Sequence, residues 1–312
     1  ENFIKSRFKP VICEFGNCGF QFCKMLTEKI ETHFRQHLTA FKTNTIKLTN
    51  REKWLLLTCA TSVVKSSTNP HANPLFVDLV IVVLNAAKLS AFYPYGESFD
   101  RSDNIFTSKS YSPFPKNTLI SPIYIDYETF SNLPKPKDYR AFFVTRDPRD
   151  ILVSWYFSAK FSHGKDGYLN HYITDLQKID SVEEGLIYSI QALDNFGLWR
   201  TMKNWHSQAN TDQEITVRFE DLTGGEQVKH WQSLFEFLDI ELPSSSLESI
   251  LSRYNFEYWS KGRKQGEEDK ASHMRKGISG DWKNYFTPLV AEKFQQIVSS
   301  FPKYHQAHQY LG

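Results

Sequence analysis

The segment YRAFFVTRDPRD, Tyr139 to Asp150, restricts the fold more than any other stretch of the chain. Its first seven residues form a near-continuous apolar run with no polar and apolar alternation. A strand of that kind needs cover on both faces, which is the situation inside a parallel sheet. Parallel strands must be joined by crossovers, usually helices, and Pro148 suits the first turn of one. A helix is therefore predicted to begin within RDPRDILVSWYFSAKF.

The rest of the chain repeats the alternation. Lys9 to Phe15 (KPVICEF) reads as a short buried strand, GNCG as a turn, and Phe20 to Leu38 as a helix with Phe22, Met25, Leu26, Ile30 and Phe34 on one side. Further strands are predicted at Asn117–Tyr124 and Glu214–Phe219, and helices around Trp54–Val64, Val182–His206, Gln227–Leu238, Leu247–Tyr254 and Pro288–Phe301. The apolar run Pro74 to Leu89 reads as a buried helix, since Asp78 and Asn85 interrupt it and it is too short to span a membrane. Tyr93 to Pro115 reads as a loop or lid, and Ser260 to Gly277, mixed in charge and poor in apolar residues, as an exposed and mobile loop. The expected architecture is α/β: a single domain over residues 1–312 with a doubly wound central parallel sheet flanked by helices.

Charge narrows the partners. The chain has 37 basic and 35 acidic residues, so no whole-protein field draws it to nucleic acid or to a membrane surface, and an anion site must be local. Cys13, Cys18, Cys23 and Cys59 do not have zinc-pair spacing, and no cationic and apolar leader precedes them. The expectation is a reduced, cytoplasmic protein without a metal.

Two stretches suggest chemistry. Arg146 follows the buried strand, at the edge where open sheets bind ligands, and a guanidinium fork matches a phosphate face. Ser154 follows about two helical turns later. The plain structural alternative is that Arg146, Asp147, Arg149 and Asp150 pair among themselves at a helix cap. The second stretch, RKGISGDWKNYFT from Arg275 to Thr287, places adjacent cations beside glycines and aromatics, a combination suited to an anion held close to backbone. With the turn GNCG ahead of a helix as a third anion-binding element, the pattern implies a nucleotide with more than one phosphate.

These residues resemble a family. RDPRDILVS is similar to the 3'-phosphate-binding segment of sulfotransferases that use 3'-phosphoadenosine 5'-phosphosulfate (PAPS), and RKGISGDWKNYFT to their C-terminal signature. VRFEDL and NFEYWSKG resemble the segments between them in the cytosolic branch. The resemblance covers Tyr139 to Thr287 well and the first 138 residues poorly. It implies the P-loop-like sulfotransferase fold, with Arg146, Ser154, Arg275, Lys276 and Gly277 around the 3'-phosphate and Phe256 near the adenine. It also implies PAPS as sulfuryl donor, PAP as product and no metal. By register the 5'-phosphosulfate loop falls on Asn17, Cys18, Gly19, Phe20, Gln21 and Phe22. There Asn17 stands in place of the lysine that steadies charge on the leaving phosphate, and both threonines are missing.

The family histidine that accepts the acceptor's proton would fall 22 residues before Arg146, on Tyr124. A tyrosine, with an ordinary pKa of about 10, is a poor base near neutrality but can position an acceptor. Asp126 and His163 rank ahead of it as candidate bases, while His33 and His37 read as a solvated helix face. The resemblance implies transfer of a sulfuryl group from PAPS to a hydroxyl or amine of a small molecule. Residues 39–116 are expected to cover the acceptor. The alternative is a PAPS- or PAP-binding protein of the same fold with impaired catalysis, and a kinase is disfavoured because GNCGFQF lacks the GK[ST] of ATP-binding loops. No oligomeric state can be inferred.

Overall fold

A computed structural model describes residues 47–48, 54–59, 90–92, 118–123, 126–132, 135, 137–162, 170–208, 210–253 and 255–298. All of these belong to a compact unit that runs from Ile46 to Gly312. Strands β1 (Lys47–Leu48), β2 (Trp54–Cys59), β3 (Ser90–Phe92) and β4 (Thr118–Ile123) come first, then α1 (Tyr127–Asn132), β5 (Tyr139–Thr145) and α2 (Pro148–Phe157). A π-helical turn, Ser158–Ser162, extends α2. It is followed by α3 (Asn170–Lys178), α4 (Val182–Asn195), α5 (Leu198–His206), β6 (Glu214–Arg218) and α6 (Phe219–Thr223). The described chain closes with α7 (Gln227–Phe237), β7 (Ile240–Glu241), α8 (Ser244–Arg253), α9 (Phe256–Trp259), a 3-10 turn at Asp281–Asn284 and α10 (Pro288–Val298).

The main sheet has the order β3-β4-β2-β5-β6, with every neighbouring pair parallel. β1 and β7 form a separate antiparallel pair. In β5, Ala141, Phe142, Phe143 and Val144 are all buried, as a strand covered on both faces requires. Phe143 stacks on Trp205 of α5 with ring centroids 4.6 Å apart, and Ala141 joins it in a buried apolar cluster with residues of α2, α4, α5 and α10. Arg140, which alternation turns to the opposite face, donates to the Phe237 carbonyl at 3.2 Å and so marks α7 on the other side. The sheet is thus wound on both faces, as expected.

Local chemistry fixes the helix starts. Asp147 caps α2, accepting from the Arg149 amide at 2.9 Å, with Pro148 in the first turn. Ser181 caps α4 ahead of Glu184, in the spacing of a capping box. At the strand-start edge, Tyr127 and Tyr139 both donate to Glu214, the first residue of β6. Burial, and then the Glu214 carboxylate, push both phenols above their ordinary range. At the strand-end edge, the fully buried Thr145 hydroxyl pairs with His206 Nε2 at 2.7 Å.

His206 gives a pH prediction. Burial, and then the Arg218 guanidinium, press its imidazole down from the ordinary 6.5 to about 4. The unfolded chain takes up this proton near 6.5 and the folded chain only near 4, so its contribution is complete above about 6.5 and is lost as pH falls through that window. Urea unfolding at about pH 7.5 and about pH 5 should show the wild type losing about 2 kcal/mol more than His206→Gln. Equal losses in the two proteins would contradict it.

One expectation is corrected. Trp54 to Val64 was expected as helical, yet Trp54–Cys59 is a strand paired on both sides, because a short all-apolar run has no period to separate the two forms and sheet partners decide. Ser260 to Gly277 is largely exposed and without regular secondary structure, as expected, and it carries internal backbone bonds: Gly266 donates to the Lys276 carbonyl at 2.8 Å and Asp269 to that of Arg275 at 2.9 Å. The stretch 39–116 contributes β1, β2 and β3, and its remainder, with the segments 9–38 and 74–89, lies outside the described residues.

Candidate functional site

The site grows from the junction of β5 and α2. Arg149 is committed to the helix cap: its guanidinium makes paired bonds to Asp147 at 2.9 and 2.6 Å and stacks on Trp282 at 3.7 Å. Arg146 is different. It leaves the strand end with its guanidinium 4.9 Å over the Phe219 ring, and its buried Nε has no acceptor among the described residues. Beside it, Glu220 accepts from the Asp147 amide at 2.8 Å and lies 3.7 Å from Arg218. Burial raises the Glu220 carboxyl, while the Asp147 amide and the two arginines oppose that rise. A buried cation donor without an acceptor is costly unless something else supplies one.

The glycine-rich segment docks on α2 through one carboxylate. Asp150, 2% exposed, accepts from the amides of Gly280 at 2.6 Å and Trp282 at 3.0 Å. Phe157, on the same helical face, carries the Arg275 guanidinium at 4.4 Å and the Tyr285 ring at 5.0 Å. Between them on that face stands Ser154, exposed. A second carboxylate, Asp281, gathers the cations: it accepts from Lys276 at 2.7 Å, from Asn284 at 2.8 Å and from Arg275. Arg275 also donates to Glu268 and, at 3.4 Å, to the Tyr285 hydroxyl.

These pairs set the protonation. Burial opposes the charge on Arg275, but Asp281 and Glu268 outweigh it and hold the guanidinium above its ordinary value. The Asp281 bond raises Lys276 likewise. Burial alone would raise the Asp281 carboxyl, and its bonds to Lys276 and Arg275 bring it below the ordinary range. Gly277 follows with φ +68°, packed on the buried Phe256 ring so closely that a Cβ would stand 2.5 Å from its Cγ.

Of the expected site residues, the structure joins Phe256 to Gly277, and α2, which bears Ser154, to the segment of Arg275 and Lys276. Asp126 precedes α1, whose Tyr127 is tied to Glu214 at the strand-start edge, opposite the end from which Arg146 leaves. Asn17, Cys18, Gly19, Phe20, Gln21, Phe22, Tyr124 and His163 lie outside the described residues, as do His33 and His37. Sequence reasoning missed Asp150 and Asp281, whose signal was weak, since carboxylates among cations resemble any solvated charge run. Among the described residues no cluster of His, Cys, Asp or Glu could hold a metal, and no helix is long and apolar enough to cross a membrane.

The model of the sulfotransferase domain matches residues 125–308, which include every described element from α1 onward. The chain belongs to the sulfotransferase domain family. It is similar to mouse sulfotransferase 1 family member D1, 25% identical over 217 residues that make up 60% of this chain and 69% of that protein. Human sulfotransferase 2A1 is 27% identical over 173 residues, 51% of this chain and 54% of its own. Cytosolic sulfotransferase 17 of Arabidopsis thaliana is 26% identical over 57% of this chain and 56% of its own. The chain thus spans about half the length of the latter two relatives. A solved structure of mouse sulfotransferase SULT7A1 complexed with PAP aligns over 79% of this chain and 82% of that one, at 19% identity and a TM-score of 0.48.

Proposed function

We propose that this member of the family is a PAPS-dependent sulfotransferase acting on a small-molecule hydroxyl or amine. The observation that carries the reading is Arg146, a half-buried guanidinium at the strand-end edge with an Nε that has no acceptor among the described residues. A dianionic phosphate would satisfy it, and charge-assisted bonds of that kind are the strong ones. Ser154 offers a hydroxyl to the same anion. Arg275 engages three of its five donors with Glu268, Tyr285 and Asp281, and Phe256 with Gly277 would form the wall beside the adenine.

In the reaction, the acceptor oxygen or nitrogen forms a bond to sulfur as the bond from sulfur to the bridging phosphate oxygen breaks. PAP leaves with the electron pair, and a protein base takes the acceptor's proton. His163, Asp126 and Tyr124 remain the candidates for that base, with Asp126 disfavoured by the anchoring of α1.

The 5'-phosphosulfate arm has two candidate sources. Resemblance by register points to Asn17 through Phe22. The sheet favours another: β2 stands between β4 and β5, and its last residue, Cys59, pairs in register with Val144, two residues before Arg146. β2 therefore ends at the ligand edge of the sheet. The next residues in sequence, 60–68, read ATSVVKSST and contain Lys65 with five hydroxyls. That lysine would supply the charge that Asn17 lacks, which weakens the case for a catalytically impaired binder.

Turnover of radiolabelled PAPS against a panel of phenols, alcohols and amines, combined with PAP calorimetry, tests the reading. Sulfuryl transfer should be measurable, with Lys65→Ala lowering it about 100-fold and Asn17→Ala less than about threefold. Tight PAP binding with no transfer to any acceptor would favour the impaired binder. Loss on Asn17→Ala alone would return the arm to residues 16–22.

A further inference from the structure

The loop before the cationic pair is folded around a single side chain. Arg263 Nη1 donates to the carbonyls of Glu267 and Arg275, each at 2.9 Å, and Nη2 donates to Ser272 Oγ at 3.1 Å and to the Met274 carbonyl. The same guanidinium lies 5.4 Å over the ring of Phe256, against which Gly277 packs. Ser260 Oγ in turn donates to the Arg263 carbonyl at 2.9 Å, so the residue is fixed at its backbone as well as at its tip. Three carbonyls converging on one planar fork are satisfied only by a group with several donors in fixed directions. Two of the three belong to Met274 and Arg275, immediately before Lys276.

We infer that Arg263 is a positioning residue for the nucleotide. It holds the backbone that aims Arg275 and Lys276, and it packs on the aromatic ring beside which the adenine would lie. The inference rests on the PAP-binding reading above. It adds that the phosphate side and the adenine side of the site are coupled through one guanidinium that does not itself touch the nucleotide. His273, within 3.2 Å of Ser162 and 3.4 Å of Ser158 on the π-helical turn, ties the far end of the loop to α2.

The test compares Arg263→Ala and Arg263→Lys with the wild-type chain. PAP affinity is measured by calorimetry at low temperature, and cleavage after Glu267 and Glu268 by a glutamyl endopeptidase is followed without nucleotide. Both variants should bind PAP at least about tenfold more weakly and be cut at least about tenfold faster, because lysine keeps the charge but cannot reproduce the fork. Restoration of affinity by Arg263→Lys would show that charge alone mattered and would overturn the inference. Faster cleavage with unchanged PAP affinity would overturn it as well. Failure of the wild-type chain to bind PAP would instead bring down the functional reading, and this inference with it. Should Arg263→Ala not fold, Arg263→Lys carries both measurements.

Discussion

Arg146→Ala should weaken PAP binding about 100-fold or more, while Arg149→Ala should weaken it less than about tenfold. The two arginines stand three residues apart around one cap, and the sequence singles out Arg146 by its place at the end of the buried strand. Their surroundings differ. Arg149 spends its guanidinium on both oxygens of Asp147 and on the face of Trp282. Its removal should therefore appear chiefly as lost stability, at most about 2 kcal/mol for a partly exposed pair. Arg146 has Phe219 below it and no acceptor for Nε among the described residues, so its bonds to a phosphate come at little cost in bonds already made. Calorimetric titration of PAP into each variant, with unfolding curves alongside, separates the two effects. Equal losses of affinity would make Arg146 a structural residue and remove the main support for the proposed site.

Gly277→Ala should destabilise the folded chain by about 2–4 kcal/mol and weaken PAP binding at least about tenfold. Two causes add. The backbone stands at φ +68°, a conformation that costs an L side chain about 1–2 kcal/mol. The new methyl would also overlap Phe256, a buried ring that cannot yield without disturbing the wall it forms. Gly266 supplies the control, because its φ is +96° but a Cβ there meets nothing within 4 Å. Gly266→Ala should show the backbone cost alone, with PAP affinity near that of the wild type. If the two alanine variants behave alike, the contact between Gly277 and Phe256 is not what shapes the site.

Much of the scaffold was legible. Tyr139 to Thr145 reads as a buried strand because apolar residues fill both of its faces, and the cap Asp147-Pro148 announces α2 from purely local chemistry. β6, α7, α8 and α10 follow from patterns of the same kind, with ends that differ by a few residues where helices fray. β2 was not legible, since WLLLTC has no period and only its pairing with β4 and β5 makes it a strand. β1, β3 and β7 are too short for any pattern to form. In the site, Arg146 and the Arg275-Lys276 pair stood out as cations where a core has no use for them. Asp150 and Asp281 did not, because a carboxylate shows its purpose only through the groups that reach it.

By itself the sequence determined the alternation of strand and helix, the caps, and the cationic motifs that resemble the sulfotransferases. Those depend on neighbours along the chain, and hydrophobic period, cap chemistry and motif spacing record such neighbours directly. Only the tertiary structure decided that Trp54–Cys59 enters the sheet next to β5, that Asp150 holds the amides of Gly280 and Trp282, and that Arg263 folds the loop ahead of Lys276. Asp150 and Gly280 are 130 residues apart in the chain. Hydrogen bonds and charge pairs act over a few ångströms of space, so partners so distant in sequence leave no mark on one another until the fold brings them together.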